Sequence, residues 1–434
     1  MGGRRTRRAV AVAVAVVAGV SVLGACGNAA QHISTGNNAD PGVYPTKIVV
    51  GSIANISGPL SSDFAPIVNG VEAYFSMVNA EGGVAGRKLD LAYQTDDNGS
   101  PSTDLAVAEK LVEQDGVFAI VGVGTPFFGA ADFLAQKGTP TFGYVVSSDW
   151  ADKPTLFGAY GSVLDYATLA PGEARVAQQL GATSVGVVAY GVPQSADACE
   201  ASATGMRALG VDVSYTDFNF TFGADPTADV LQLKQKNVDF LLTCLDVTGN
   251  IAFARALVQN GMDIDQLWLN GYDRPTVKQY GSLMSGVYIG VQHVPFEAAV
   301  AFPGVYPGLD TYLRTMQRYQ PSSTYDEVAM DGWIDAALFV SGLRAVGRHL
   351  TQKDLVAAIN RETAFTAGGL TTPVDWTRAH NSHLPPATPY CSAAVKVENG
   401  SFVPLSAPGT EEVYQCVEPG STTLVPPPPG TPGT

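Results

Sequence analysis

Basic residues are scarce in this chain: 25 Lys and Arg stand against 40 Asp and Glu over 434 residues, a formal net charge of −15. A surface that acidic repels nucleic acid and anionic headgroups, so neither is expected as a partner. Long apolar runs are missing beyond residue 23, and no later segment has the length and hydropathy of a membrane-spanning helix. Histidine and cysteine number only five each, and no Cys-x-x-Cys spacing occurs, which argues against a thiolate metal centre. His380 and His383 lie beside Pro385-Pro386 in a loop, and Asp96-Asp97 suit a solvated, capping turn; neither pair is expected to hold a metal. A Walker lysine and a Gly-x-Ser-x-Gly elbow are both absent, and Gly122-x-Gly124 lacks the third glycine of a dinucleotide loop. No cofactor and no catalysis are expected.

What the chain does have begins at its start. Arg4, Arg5, Arg7 and Arg8 precede an unbroken small-and-apolar run over residues 9–23, short for a bilayer span and of the length of a signal-peptide core. The run ends in Leu23-Gly24-Ala25-Cys26, which resembles the lipobox of bacterial lipoproteins. That resemblance implies a signal peptide over 1–25, acylation of Cys26, and an extracytoplasmic protein anchored to the cell membrane by lipid. Residues 26–45, rich in Asn, Ala and Gly, then read as a flexible tether, and residues 417–434, rich in Pro and Gly, as a disordered tail. Cys199, Cys244, Cys391 and Cys416 remain, an even count for an oxidising compartment. Three pairings are possible. A hairpin of 393–397, Asn399-Gly400 and a strand from Phe402 tied at its base explains Cys391–Cys416, which leaves Cys199–Cys244.

Between tether and tail, short β-rich runs alternate with helical patterns, the mark of parallel sheets covered on both faces. Strands are expected at 47–53, 89–94, 118–123 and 140–145, and a second series at 184–190, 211–218, 238–245, 266–269 and 287–291. Ile67, Val71, Tyr74, Phe75 and Val78 recur at helical spacing before Gly82-Gly83, and similar helices fit 102–113, 166–180, 195–209, 225–235, 250–259 and 326–346. The expectation is an α/β protein of two doubly wound parallel-sheet lobes, with ligands bound outside the carboxyl ends of the strands.

An ordered series of short motifs is more specific. Lys47-Ile48-Val49-Val50-Gly51, Ser57-Gly58-Pro59-Leu60, Asn79-Ala80-Glu81-Gly82-Gly83, Asp96-Asp97, Ala108-Glu109-Lys110-Leu111-Val112 and Gly138-Thr139-Pro140 resemble type I periplasmic binding proteins, nearest the leucine/isoleucine/valine-binding branch. The likeness runs from about Lys47 to about Pro404. It implies three hinge crossings, near 160–166, 286–292 and 365–372, giving one lobe of 46–160 plus 291–365 and another of 161–287 plus 366–416. It also implies a monomeric substrate-binding lipoprotein that delivers a branched-chain-like amino acid to an ABC permease. The same clamp could instead report its ligand to a membrane kinase or receptor. Residues 244–249 depart from the family's glycine- and aromatic-rich loop, which leaves an amide or a small aromatic carboxylate open as ligand.

Candidate site residues follow the strands. Gly124 and Thr125, ahead of a helix expected after Pro126, suit a carboxylate, and the resembled family uses this loop so; the competing reading is a tight strand-to-helix turn. Val146 and Ser147 form the matching second loop, where carbonyls and a hydroxyl would meet an amine, although Ser147 equally suits a helix cap. Phe64 is placed to cover an apolar part of the ligand or to pack in the core. On the other lobe Tyr190 or Gln194 would close over the ligand, and the carboxylates Asp246 and Asp273, the latter beside Tyr272, would attract an ammonium or cap helices.

Overall fold

The computed structural model describes residues 40–58, 60–163, 171–208, 210–384, 390–406, 409–417, 424–428 and 430–431. The expected signal segment, Cys26, most of the tether and most of the tail lie outside the described residues.

Two sheets organise the chain. The first contains β1 (Lys47–Ala54), β2 (Lys88–Asp96), β3 (Ala119–Gly124), β4 (Thr141–Gly143) and β5 (Leu156–Gly158), in the order β2-β1-β3-β4-β5, with every neighbouring pair parallel. The second begins with β6 (Val185–Tyr190), β7 (Val213–Phe220), β8 (Phe240–Cys244), β9 (Asp265–Trp268) and β10 (Tyr288–Val291), in the parallel order β7-β6-β8-β9-β10. Beyond β10 it continues antiparallel through β11 (Tyr390–Glu398), β13 (Gln415–Val417) and β14 (Leu424–Val425), while β12 (Ser401–Pro404) pairs with β11. The central strands β3, β6 and β8 are buried along their whole length, and β1 is buried after Lys47. Runs such as Val185-Gly186-Val187-Val188 therefore carry apolar side chains on both faces, and helices cover both.

Helices Ile67–Ala80 and Glu327–Val346 illustrate how the cover is fitted. A Cβ on Gly70 would run into the Ala329 carbonyl, and one on Gly332 into the Ile67 carbonyl. Two glycines, one on each helix, thus let the backbones touch where they cross. The helix Glu327–Val346 comes late in the sequence yet packs on the first sheet, where Phe339 meets Phe142 and Phe118.

The chain accordingly passes between the sheets three times: after β5, after β10, and before β11. The last passage falls later than the sequence suggests. Trp376 and His380 pack against Phe157 at ring separations of 5.2 and 4.9 Å, and Ser382 donates to Asp152 from its backbone N–H and its hydroxyl. Residues 376–382, expected in the second lobe, therefore lie against the first sheet, because a fully buried Trp376 extends that sheet's core.

The sulfur atoms of Cys199 and Cys244 lie 2.12 Å apart, and those of Cys391 and Cys416 lie 2.02 Å apart. The first pair ties helix Pro193–Ala208 to β8. The second joins directly opposed residues of β11 and β13. Cys416 is thus on a third strand rather than at the base of the β11–β12 hairpin, whose own pairing covers Val395–Glu398 and Ser401–Pro404.

Candidate ligand-binding cleft

In each sheet the connection from the central strand runs first to one side and then to the other, so the loops part at the carboxyl ends of β1 and β3 and again at those of β6 and β8. These two loop clusters face one another. Gln194, on the first turn after β6, donates from its side-chain amide to the Pro126 carbonyl after β3, at 3.5 Å. Asp63, in the short helix Ser61–Phe64 after β1, has its carboxyl pushed up by burial and then by repulsion from Asp246 and Asp273 of the second lobe. Asp326, at the start of helix Glu327–Val346, is raised to about 6, chiefly by burial, with Asp273 and Asp63 adding to it and two backbone N–H groups opposing it. Repulsion across the lobes thus links Asp63 to Asp246 and Asp273, and Asp326 to Asp273.

On the first lobe, Gly124 is required because a Cβ there would meet the Phe64 carbonyl and the Ile67 side chain, so the β3 terminus lies directly against the start of helix Ile67–Ala80. Phe64 itself is buried and tilts against Tyr144 at 6.1 Å. The hydroxyl of Thr125 donates to the Asp97 carboxylate, and Asp97 also accepts from the Gly99 N–H at 2.9 Å. This corrects two expectations. Thr125 does not present a free hydroxyl donor, and no helix follows Pro126: the next helix, Ala131–Lys137, starts later, and the Ala130 N–H is taken by the buried Asp104 carboxylate at 2.8 Å. Val146 is half-buried, and the Ser147 hydroxyl donates to Asp149 at 2.8 Å. The Asp96-Asp97 pair acts as an anchor, with Asp96 accepting from the Ile56, Ser57 and Asn98 N–H groups.

On the second lobe, the two aspartates sit at the ends of strands because each caps the helix that follows. Asp246 accepts from the Gly249 N–H at 2.9 Å and from the Tyr190 hydroxyl at 2.5 Å. Asp273 accepts from the Thr276 N–H at 2.9 Å and its hydroxyl at 2.6 Å. A carboxylate has acceptor sites left after two such bonds, so capping fixes each group's direction without exhausting it. Tyr190 is buried, bound to Asp246 and stacked on the exposed ring of Phe222 at 3.8 Å. Tyr272 departs furthest from its expected role. It is buried, its hydroxyl donates to Glu297 and accepts from the Phe296 N–H at 2.7 Å, and its ring stacks on Phe296. That ring belongs to the packing between the lobes, with no free edge or hydroxyl for a ligand. His380 is a packing residue, its Nε2 2.7 Å from Asn360 Oδ1.

Sequence reasoning passed over Asp326, Arg274 and Tyr325. Arg274 stands next to Asp273, and Asp326 opens an expected helix, but only the fold brings Tyr325 and Asp326 to Arg274 and Asp273.

A family model described as periplasmic binding protein matches residues 47–400. The chain belongs to that family. Among individual relatives, a Leu/Ile/Val-binding protein of Rhizobium johnstonii is 33% identical over 100 residues, covering 22% of this chain and 27% of that one. A Leu/Ile/Val-binding protein homologue of Brucella melitensis is 31% identical over 100 residues. The match thus spans about a quarter of the length of these curated relatives. Solved structures agree on the fold over most of the chain. A fatty acid ABC transporter substrate-binding protein from Thermomonospora curvata superimposes with a TM-score of 0.68 at 19% identity, covering 85% of this chain and 93% of that one. A branched-chain amino acid ABC transporter from Thermus thermophilus with bound valine gives 0.67 at 17%, over 83% and 95%. A solute-binding protein of R. palustris in complex with benzoate gives 0.65 at 16%, over 83% and 96%. The fold is the type I periplasmic-binding fold, two mostly parallel α/β lobes. Periplasmic binding proteins capture small solutes outside the cytoplasm and are not enzymes, and this member is a solute-binding protein in that sense.

Proposed function

We propose that this periplasmic binding protein is the lipid-anchored substrate-binding component of an ABC importer, and that it captures a solute carrying an ammonium group, of the amino-acid class. The observation that carries the reading is the meeting of Asp63 and Asp326 from one lobe with Asp246 and Asp273 from the other. Partly buried carboxyl groups that repel one another across the lobes favour a cation between them, which converts repulsion into charge-assisted hydrogen bonds. Asp246 and Asp273 are held by their helix-cap bonds, so their free lone pairs are aimed before the ligand arrives. In this reading the Val146–Ser147 turn meets the solute's polar end, and the Gly124–Thr125 turn, its hydroxyl bound to Asp97, shapes the wall beside it. Phe64, Tyr190 and Gln194 line the remainder, and rotation about the three passages buries the solute. Acylation of Cys26 would keep the protein beside its permease.

Thermal-shift screening tests the proposal, using amino acids, their amides, diamines, benzoate and a medium-chain fatty acid. A ligand present at about a hundred times its dissociation constant adds about 2.7 kcal/mol of stability. Amine-bearing solutes should raise the melting temperature and the two anions should not. A shift with benzoate or the fatty acid alone would overturn it.

A further inference from the structure

We propose that Arg274, Glu297 and Tyr325 form a latch that holds the two lobes closed before any ligand is bound. Arg274 opens the helix Arg274–Tyr280 on the second lobe, immediately after the capping Asp273. Glu297 lies beyond β10, where the chain has left the second sheet, and Tyr325 precedes the helix that packs on the first. Both guanidinium contacts to Glu297 Oε1 are short, 2.7 Å from Nη2 and 3.2 Å from Nε, while the Tyr272 hydroxyl takes Oε2. Both oxygens of this carboxylate, on the passage that leaves β10, are therefore held by second-lobe donors. The guanidinium carbon also lies over the Tyr325 ring, 3.3 Å from its centroid. A planar cation that aims two N–H groups at one carboxylate oxygen and its face at an aromatic ring is a geometry arginine fills and lysine does not.

The location makes this a latch rather than a fixed part of the core. Arg274 keeps 39% of its side-chain surface exposed, whereas Glu297 keeps 15%, so the pair sits at the rim, where opening the lobes would part Arg274 from Tyr325. The described lysine ion pairs, by contrast, each stay within one lobe. Beneath the rim a row of rings, Phe402, Tyr272, Phe296, Tyr312, Trp333 and Tyr74, runs from β12 to the helix Ile67–Ala80 at spacings of 4.8 to 5.8 Å. That mostly buried row, with Glu297 bonded to its Tyr272, stays fixed at the second passage, and the contact that opens and closes is the outer one of Arg274 on Tyr325. The latch rests on the lobes forming a clamp, but it needs no particular solute: it biases the empty protein toward the closed form.

Small-angle scattering of the ligand-free protein tests this, with Arg274→Ala and Glu297→Gln beside the wild type. Glu297→Gln keeps an acceptor for Tyr272 and removes only the charge, so it guards against a variant that misfolds; thermal melts confirm folding of both. Wild-type scattering should match the closed form, and both variants should give a larger radius of gyration, reflecting a change of about fivefold in the closed-to-open ratio. High salt should expand the wild type and leave Arg274→Ala unchanged. A wild type already open, or three superimposable profiles, would overturn the latch. Since no ligand is added, that failure would leave the reading of the binding cleft standing.

Discussion

Asp331 provides a quantitative test of how the passages between the lobes are built. It lies in the helix Glu327–Val346, fully buried, and accepts from the Tyr160 hydroxyl at 2.6 Å where the chain first leaves the first sheet. Burial, opposed by the Tyr160 bond and helped by nearby Asp326, raises its carboxyl from 3.8 to about 7. Glu327 and Asp335 flank it one helical turn away on either side, both raised by burial, and His293 from the second passage approaches Glu327 at 3.9 Å. A carboxyl raised in the folded state contributes stability that is complete below its unfolded pKa and is lost as pH rises through the folded value. Between about pH 5 and pH 8 the unfolded aspartate has already lost its proton, whereas folded Asp331 keeps its own until near the top of the range. The difference integrates to roughly two pH units, or about 2–3 kcal/mol at about 1.4 kcal/mol per unit. The wild-type curve is composite, since Asp104 near 7 acts in the same direction while His293 and His380, held near 4 by burial, gain stability over the same window. Asp331→Asn removes this titration, because asparagine can still accept from Tyr160 but does not titrate, and it also relieves the repulsion that Asp331 exerts on Glu327 and Asp335, which acts in the same direction. Urea unfolding of both proteins across this range should show the variant losing about 2–3 kcal/mol less than the wild type. Parallel stability curves would refute the reasoning.

Two other perturbations follow from packing and covalent structure. Gly332→Ala drives a methyl into the Ile67 carbonyl and should cost about 1–3 kcal/mol by urea unfolding, and a neutral result would mean the helices can part freely. Replacing both Cys199 and Cys244 by serine removes a link across 45 residues, which chain entropy values at about 4 kcal/mol, read as a lower denaturation midpoint; an unchanged midpoint would argue that the pair is not bonded in the folded protein.

The parallel sheets were legible because their central strands are fully buried. Val185–Tyr190 and Phe240–Cys244 have apolar or small residues at nearly every position, and only a strand covered on both faces needs that. Leu156–Gly158 escaped notice because three residues carry no period. The helix Pro307–Tyr319 did carry one, with Leu309, Tyr312, Leu313 and Met316 on one face and proline at its start, and that signal could have been used. At the cleft, strand-end position identified Asp246 and Asp273 but could not separate capping from ligand contact, and the structure makes both aspartates caps. The binding of Thr125 by Asp97 was beyond local reading, since the partners are 28 residues apart and meet only when β2 and β3 flank β1. Tyr272 looked available beside Asp273, yet Phe296 and Glu297, which take up its ring and hydroxyl, arrive from across the second passage.

The central claim, that carboxylates of both lobes grip an ammonium in the gap, is tested most directly by calorimetry of Asp273→Asn with the strongest amine-bearing solute from the thermal screen. Asparagine keeps an oxygen for the Thr276 N–H, so the helix cap and the melting temperature of the empty protein should be nearly unchanged. Losing one hydrogen bond between charged groups should weaken binding about tenfold or more. An affinity equal to the wild type's, in a variant that folds normally, would contradict the account.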